Sequence, residues 1–244
     1  METYAHRFYR QWMRPPGLER FEVAIAESDL VVMCDESLER LAREELRSIR
    51  RDIERHIEAD PGFAASLEPY PVPQGAPGIV RAMARAADPW GVGPMAAVAG
   101  AVAEAVGRRL LAESTTVIVE NGGDVFARSD RPVRFGLYAG EGSPFSDRIA
   151  FEVDAREGVG VCTSSGNVGP SISFGKADAV VAVAAGAAEA DAAATALANR
   201  IRGEEDVESV VGDESAHGRL GGIIACAGSR IGIWGDIALA RRTS

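Results

Sequence analysis

The sequence has little of several things that would announce a function at once. Cysteine is scarce: Cys34, Cys162 and Cys226 are odd in number, far apart, and none falls in a Cys-x-x-Cys pair. That pattern argues against a disulfide framework and against a thiolate zinc site. Histidine is as rare, since His6, His56 and His217 form no i, i+4 pair of the kind that holds a transition metal. His56, close to Arg55 and Glu58 on a charged helix face, reads as a solvated side chain. Positive charge is in deficit: 26 Lys and Arg against 36 Asp and Glu leave a formal charge of −10. Nonspecific binding to nucleic acid or to an anionic membrane needs a positive surface that displaces counterions, and is excluded. A bound phosphate must then be met locally, by backbone amides, a metal or a few arginines. Long apolar runs are missing too, because the most apolar stretch, 179–188, soon meets Glu189 and Asp191 and is too short to span a bilayer. The first residues lack the apolar core of a secretion signal and a lipid-attachment cysteine, so the expected location is the cytoplasm.

What remains is a soluble, globular composition of 244 residues, enough for one sizeable core. Residues 21–34 predict two strands around a Glu27-Ser28-Asp29 turn. From Ser37 to Ala59, Leu38, Leu41, Leu46, Ile49, Ile53 and Ile57 recur at helical spacing, and the arginines between them are interleaved with acids, a mixed-sign solvated face. Five prolines between Pro61 and Pro77 predict mostly irregular chain. A short helix near 79–87 and a buried small-residue helix over 95–112 follow. Strands are expected near 115–120, 124–128, 133–139, 148–153, 158–162 and 178–184, then a helix over 187–202, and late strands near 207–211, 221–226 and 230–239. Gly123-Asp124 and Gly235-Asp236, each followed by strand residues, form a weak internal echo that two related halves would explain; chance recurrence of a common turn dipeptide would too.

Three stretches could carry chemistry. On the Ala-rich helix, Asp191, Thr195 and Asn199 stand at i, i+4 and i+8 and share one face. Asp and Thr oxygens there suit a hard cation such as Mg²⁺, while Asp191 could also serve a helix dipole and Thr195 bond back to the preceding turn. Asn121-Gly122-Gly123-Asp124 reads as a tight β-turn, or as a place where a ligand approaches free backbone amides. Cys162-Thr163-Ser164-Ser165-Gly166 ends a strand with hydroxyls that suit phosphate, or with a polar capped loop. Cys162 is a candidate reactive thiol, whereas Cys34 and Cys226 lie in apolar strand patterns and read as core packing. Ser173 and Lys176 match a Ser-x-x-Lys spacing, but Gly175 and the β-type run after it argue against the helix that spacing needs. Lys176 and Asp178 stay as loop contacts.

In this order the pieces resemble the ApbE superfamily of FAD:protein FMN transferases over roughly residues 20–240: the small-residue helix of Gly93 to Glu104, the Gly-Gly-Asp turn at 122–124, the Thr-Ser-Ser-Gly loop at 163–166, and Asp191-x-x-x-Thr195. The resemblance implies an α+β fold of two T-fold-like halves, with antiparallel sheets and buried Ala-rich helices around a central cleft. It implies a single domain over 1–244 with halves meeting near 130–160. By the same resemblance Asp191 and Thr195 are expected to bind Mg²⁺ beside the pyrophosphate of FAD or another flavin or adenine nucleotide. Asn121, Gly122, Gly123, Asp124, Thr163, Ser164, Ser165, Gly166, Lys176 and Asp178 are expected to line the nucleotide. The chain departs from the family where Pro170 to Asp178 replaces a His-Ile-x-Asp-Pro-x-Thr-Gly segment, and where Ala97 to Gly100 replaces a lysine. It is most similar to a short cytoplasmic branch with a Ser-x-Ser-x-Gly-Lys-Ala-Asp signature, some of whose relatives are linked to moving sulfide sulfur into homocysteine. The expectation is a Mg²⁺-assisted flavin- or nucleotide-binding enzyme with diverged chemistry. Alternatives are a sulfur-handling protein using Cys162, with a protein partner in sulfur or flavin transfer, and a non-catalytic binding or assembly protein.

Overall fold

The computed structural model describes residues 17–146, 148–165 and 175–241. A hairpin of β1 (Glu19–Ile25) and β2 (Ser28–Cys34) leads into α1 (Glu39–Ala59), the short α2 (Pro61–Ala65), α3 (Gly78–Ala87) and α4 (Val98–Leu110). β3 (Val117–Asn121), β4 (Asp124–Arg128), β5 (Val133–Gly136), β6 (Ile149–Val153), β7 (Val159–Ser164) and β8 (Ala179–Ala184) follow. Then come α5 (Ala187–Arg200), α6 (Val207–His217), β9 (Gly222–Ala227), β10 (Arg230–Gly235) and β11 (Ala238–Arg241).

Eight strands form one antiparallel sheet in the order β1-β2-β3-β4-β7-β8-β9-β10, and β11-β6-β5 form a second. Each end of the large sheet has the same build, two strands, helices, two strands, and the two runs join where β4 pairs with β7. Period-two alternation splits the large sheet's side chains between two cores. Val32, Val119, Phe126, Cys162, Val180 and Ala182 face the helices. Met33, Ile118, Val125, Val161, Val181 and Ile224 face the small sheet, where they meet Phe151 and Val153. Strands buried on both sides read as continuous apolar runs, which is why Ala179–Ala184 and Gly222–Ala227 show no alternation in the sequence.

In the helical layer α4 and α5 lie innermost, and their alanine and glycine faces let the backbones come close. A Cβ on Gly100 would stand 2.1 Å from the Ala187 carbonyl oxygen, so the crossing of α4 and α5 requires glycine there. α1 covers the layer with Leu46, Ile49 and Ile53 inward and turns the pairs Arg40–Glu44 and Arg43–Glu39 outward, the mixed-sign face its sequence predicts, while Arg50 is mostly covered and reaches back to Glu27 and Ser28 of the β1–β2 turn. Among the described residues no single helix is long and apolar enough to cross a membrane. The helical stretches Gly78–Trp90 and Pro94–Leu110 pass that test only together and are bent by 104°.

Several expectations are corrected. Residues 207–211 are not a strand but the start of α6, with Val207, Val210 and Val211 buried at i, i+3 and i+4. The strand expected over 230–239 is two, since the chain leaves the large sheet after Gly235 and joins the small one at Ala238. The Pro61–Pro77 stretch is mostly irregular, as its prolines predict, apart from the short α2 at its start. His56 is half-buried, with its ring edge-on to Phe63 at 4.9 Å, so it packs rather than standing in water. The Gly-Asp echo falls at unlike places: Gly123-Asp124 closes the β3–β4 hairpin, whereas Gly235-Asp236 is the corner between sheets.

Candidate functional site

Most of the expected residues gather at mid-sheet, at the strand tips on one side of the β4–β7 pair. The β3–β4 turn sits there, with Gly122 at φ 71° and Gly123 at φ 109°, a left-handed pair that other residues rarely adopt. Beside it is the end of β7. The backbone N–H of Thr163 donates to Asp124 Oδ1 at 3.3 Å, which ties the turn to that strand. Ser164 and Ser165 are buried, and among the described residues Ser164 Oγ has no hydrogen-bond partner. Gly166 lies outside the described residues.

The turn is not the open amide cradle its sequence allows. The Gly123 N–H already donates to Glu120 Oε1 at 2.8 Å, and Glu120 itself is 1% exposed. With Asp124 and Asp191 contributed to it, this corner favours cations over bare anions. Asn121 faces the helices, its Nδ2 donating to the Ala99 carbonyl oxygen at 3.1 Å, in the first turn of α4.

α5 supplies the stripe. Asp191, Thr195 and Asn199 are all half-buried, the pattern expected of one helical face. Asp191 Oδ2 accepts from the Gly100 N–H at 2.8 Å, so its carboxylate meets the amide-rich start of α4. Burial of that carboxyl group, and next the charge of Asp124, push its pKa well above the usual carboxylate value, while the Gly100 and Ala99 amides pull it down. Two carboxylates from distant parts of the chain thus come together, and the charge of Asp124 disfavours ionisation of Asp191.

Cys162 feels both of these acids and is fully buried. Its Sγ donates to the Ala187 carbonyl oxygen at 3.2 Å. Burial, then Asp124 and Asp191, push the thiol's pKa well up, which is the opposite of an accessible thiolate. Cys34 and Cys226 are buried as core residues, and all three cysteines are free. Lys176 and Asp178 hold other things. The Lys176 N–H donates to the Ile201 carbonyl oxygen at 2.7 Å, beyond the end of α5, with its side chain exposed. Asp178 Oδ2 accepts from the Gly228 N–H at 3.0 Å and so fixes the β9–β10 turn. Among the described residues no group of three His, Cys, Asp or Glu is placed to hold a metal.

Residue patterns alone miss four residues: Ala99 and Gly100, through their amides, Glu120, which holds the turn, and Glu104. Glu104 has a visible signal as the one charged residue in the small-residue run from Val98 to Val106. Its Oε2 accepts from the Ala188 N–H at the start of α5 at 3.2 Å, and its Oε1 pairs with Arg108 Nε at 2.8 Å.

The family model described as AbpE bacteria matches residues 10–217. A UPF0280 protein of Methanopyrus kandleri is 47% identical over 191 residues, covering 77% of this chain and 76% of the relative. Another from Methanosarcina acetivorans is 40% identical over 229 residues, covering 92% and 89%. Among solved structures, the apo flavinyl transferase ApbE of Pseudomonas stutzeri superposes with a TM-score of 0.54 at 15% identity, covering 89% of this chain and 94% of that one. The flavin transferase ApbE from Vibrio cholerae gives 0.55 at 11% identity, covering 90% and 97%. At such identities the likeness establishes the fold, an α+β fold of the ApbE type. With a family match over most of its length and relatives at 40% identity or more, the chain belongs to the AbpE bacteria family.

Proposed function

We propose that the protein binds a flavin or adenine nucleotide through its phosphates with the help of Mg²⁺, and acts on it as an enzyme whose chemistry has diverged from flavin transfer. The observation that carries this reading is the convergence of two carboxylates, Asp124 held by the Thr163 N–H and Asp191 by the Gly100 N–H, with burial and the charge of Asp124 raising the Asp191 carboxyl well above the usual range. A divalent cation between them would reverse both penalties, so the donors present fit the ion. Asp191 would hold it, Asp124 would lie within its field, and the Thr195 hydroxyl, one turn along the same face, would complete the protein's share. Bound there, Mg²⁺ would neutralise a pyrophosphate and act as a Lewis acid on it.

The chain's own residues do the rest. Glu120 occupies the Gly123 amide, so the turn orients Asp124 instead of gripping phosphate directly. Ser164 Oγ, buried and unpartnered among the described residues, is available to a ligand oxygen. Lys176 would reach the nucleotide through its exposed side chain, whereas Asp178 is already engaged by the β9–β10 turn. The sulfur-handling alternative asks for a reactive thiolate at Cys162, and the buried, raised thiol gives it no support.

Calorimetry with FAD, FMN and ATP, with and without Mg²⁺, tests the reading, followed by mass spectrometry of an FAD–Mg²⁺ incubation for FMN and AMP. We expect Mg²⁺-dependent binding that disappears in Asp191→Asn. Binding indifferent to Mg²⁺ or to that substitution, or no binding by any of the three, overturns it.

A further inference from the structure

The starts of α4 and α5 are capped by each other. Neither helix has a side-chain cap of its own, and an α-helix begins with four backbone N–H groups that lack a partner within it. Asp191, one turn into α5, accepts from the Gly100 N–H of α4 at 2.8 Å. Glu104, one turn beyond Gly100 in α4, accepts from the Ala188 N–H of α5 at 3.2 Å. The arrangement is reciprocal. Each acid follows its own helix's crossing residue by four positions, Gly100 to Glu104 and Ala187 to Asp191, so both project from the faces that meet. The contact is tight on both sides: a Cβ on Gly100 would come within 2.8 Å of the Asp191 Cβ, and one on Gly186 within 2.6 Å of Glu104 Oε2.

We infer that Glu104 is a positioning residue for the Asp191 cation site, which rests on the reading given under Proposed function. Asp191 has a fixed place only if the start of α5 has one, and Glu104 is the side chain that fixes it. Its charge answers the positive end of the α5 dipole, and the Arg108 pair holds its other oxygen. A cation drawing on Asp191 competes with the Gly100 amide for the same carboxylate. Glu104 keeps α5 in register against α4 while that bond loosens. It touches neither cation nor nucleotide, so its effect is on where the Asp191 carboxylate stands.

Two measurements on the full chain test this. The first is Mn²⁺ binding, followed by electron paramagnetic resonance, in wild type, Glu104→Ala and Glu104→Gln. Removing a group that orients a metal ligand weakens affinity about 10- to 100-fold, so Glu104→Ala is expected to bind at least about tenfold more weakly. Glu104→Gln keeps an oxygen for the Ala188 N–H and is expected to restore most of that loss. The second is a double-mutant cycle of Glu104→Ala and Asp191→Ala in urea unfolding without metal. The mutual clamp predicts a midpoint shift in the double variant smaller than the sum of the single shifts. Additive midpoints, or a folded Glu104→Ala protein that binds Mn²⁺ as wild type does, overturn the inference and leave the proposed function standing. A wild type that binds no Mn²⁺ overturns the proposed site, and with it the positioning role, whatever the cycle shows.

Discussion

Gly100→Ala separates close approach from helix propensity, because the two predict opposite signs. In a helix interior with room for a methyl group, alanine in place of glycine gains about 1 kcal/mol. At Gly100 the new Cβ would lie 2.1 Å from the Ala187 carbonyl oxygen and 2.8 Å from the Asp191 Cβ. The first of these is backbone and cannot rotate away, so α4 and α5 must separate. Forced overpacking costs about 1–3 kcal/mol. Parting the helices also strains the Gly100 N–H to Asp191 bond, and a hydrogen bond to a charged group contributes about 1.5–3 kcal/mol. Set against the propensity gain, the net expectation is a loss of about 1.5–5 kcal/mol. Gly212, inside α6, is the control, because a Cβ added there would meet nothing within 4 Å. Gly212→Ala should stabilise by about 1 kcal/mol. Urea unfolding midpoints at unchanged slope measure both. A Gly100→Ala protein as stable as wild type, or more so, would refute the account of how α4 and α5 meet.

Asp191→Asn should raise the melting temperature in EDTA at pH 7. A carboxyl whose folded pKa is raised contributes stability that is full below its unfolded pKa and lost as pH rises through the folded one, a loss the neutral amide avoids; the gain should shrink towards pH 4, and a variant less stable at pH 7 counts against the buried-charge reading. Asp35 behaves the other way. Its Oδ2 accepts from the Thr115 N–H, Thr115 Oγ1, Ser114 Oγ and the Thr116 N–H at 2.7 to 3.1 Å, and the Thr115 hydroxyl leads in holding the carboxyl down to about 2. The stability it supplies is present above the ordinary value of 3.8 and lost as pH falls through about 2. Asp35→Asn should therefore be less stable than wild type at pH 6, with the gap closing below pH 3 in thermal melts; a constant gap refutes the linkage. For the cysteines, Ellman's reagent should find no reactive thiol in the native protein and three per chain in urea, and prompt native reaction at Cys162 would revive a thiolate role.

The elements most legible in the sequence are those whose periodicity matches one environment. The α1 face and the alanine-rich α5 have a helical pattern that burial repeats. The start of α6 is ambiguous because Val-Glu-Ser-Val-Val suits a half-buried strand as well as one helical turn. Two cues point to helix, the acids at Glu204, Glu205 and Asp206 before it and Gly218 after it at φ 63°. The break after Gly235 is hidden for another reason: Ile233, Trp234 and Ile237 are apolar on both sides of it, and which sheet a strand joins is a tertiary fact.

The candidate site shows the same divide in sharper form. The spacing of Asp191 and Thr195 reveals a shared face, but not what that face meets. What Asp191 meets is an amide 91 residues earlier, and the balancing contact from Glu104 spans 84. No local pattern encodes such pairs. Their consequence bears on how the site would work, because a carboxylate already engaged by a helix start is aimed before any cation arrives. That aim costs stability, since burial and the charge of Asp124 both oppose the ionised form of Asp191. A purely structural cap would be better served by an uncharged acceptor, which would take the same N–H without the penalty. Retaining a buried acid where an amide would hold the fold with less strain is the argument for a ligand at this corner, and the stability of Asp191→Asn measured beside its cation binding decides it.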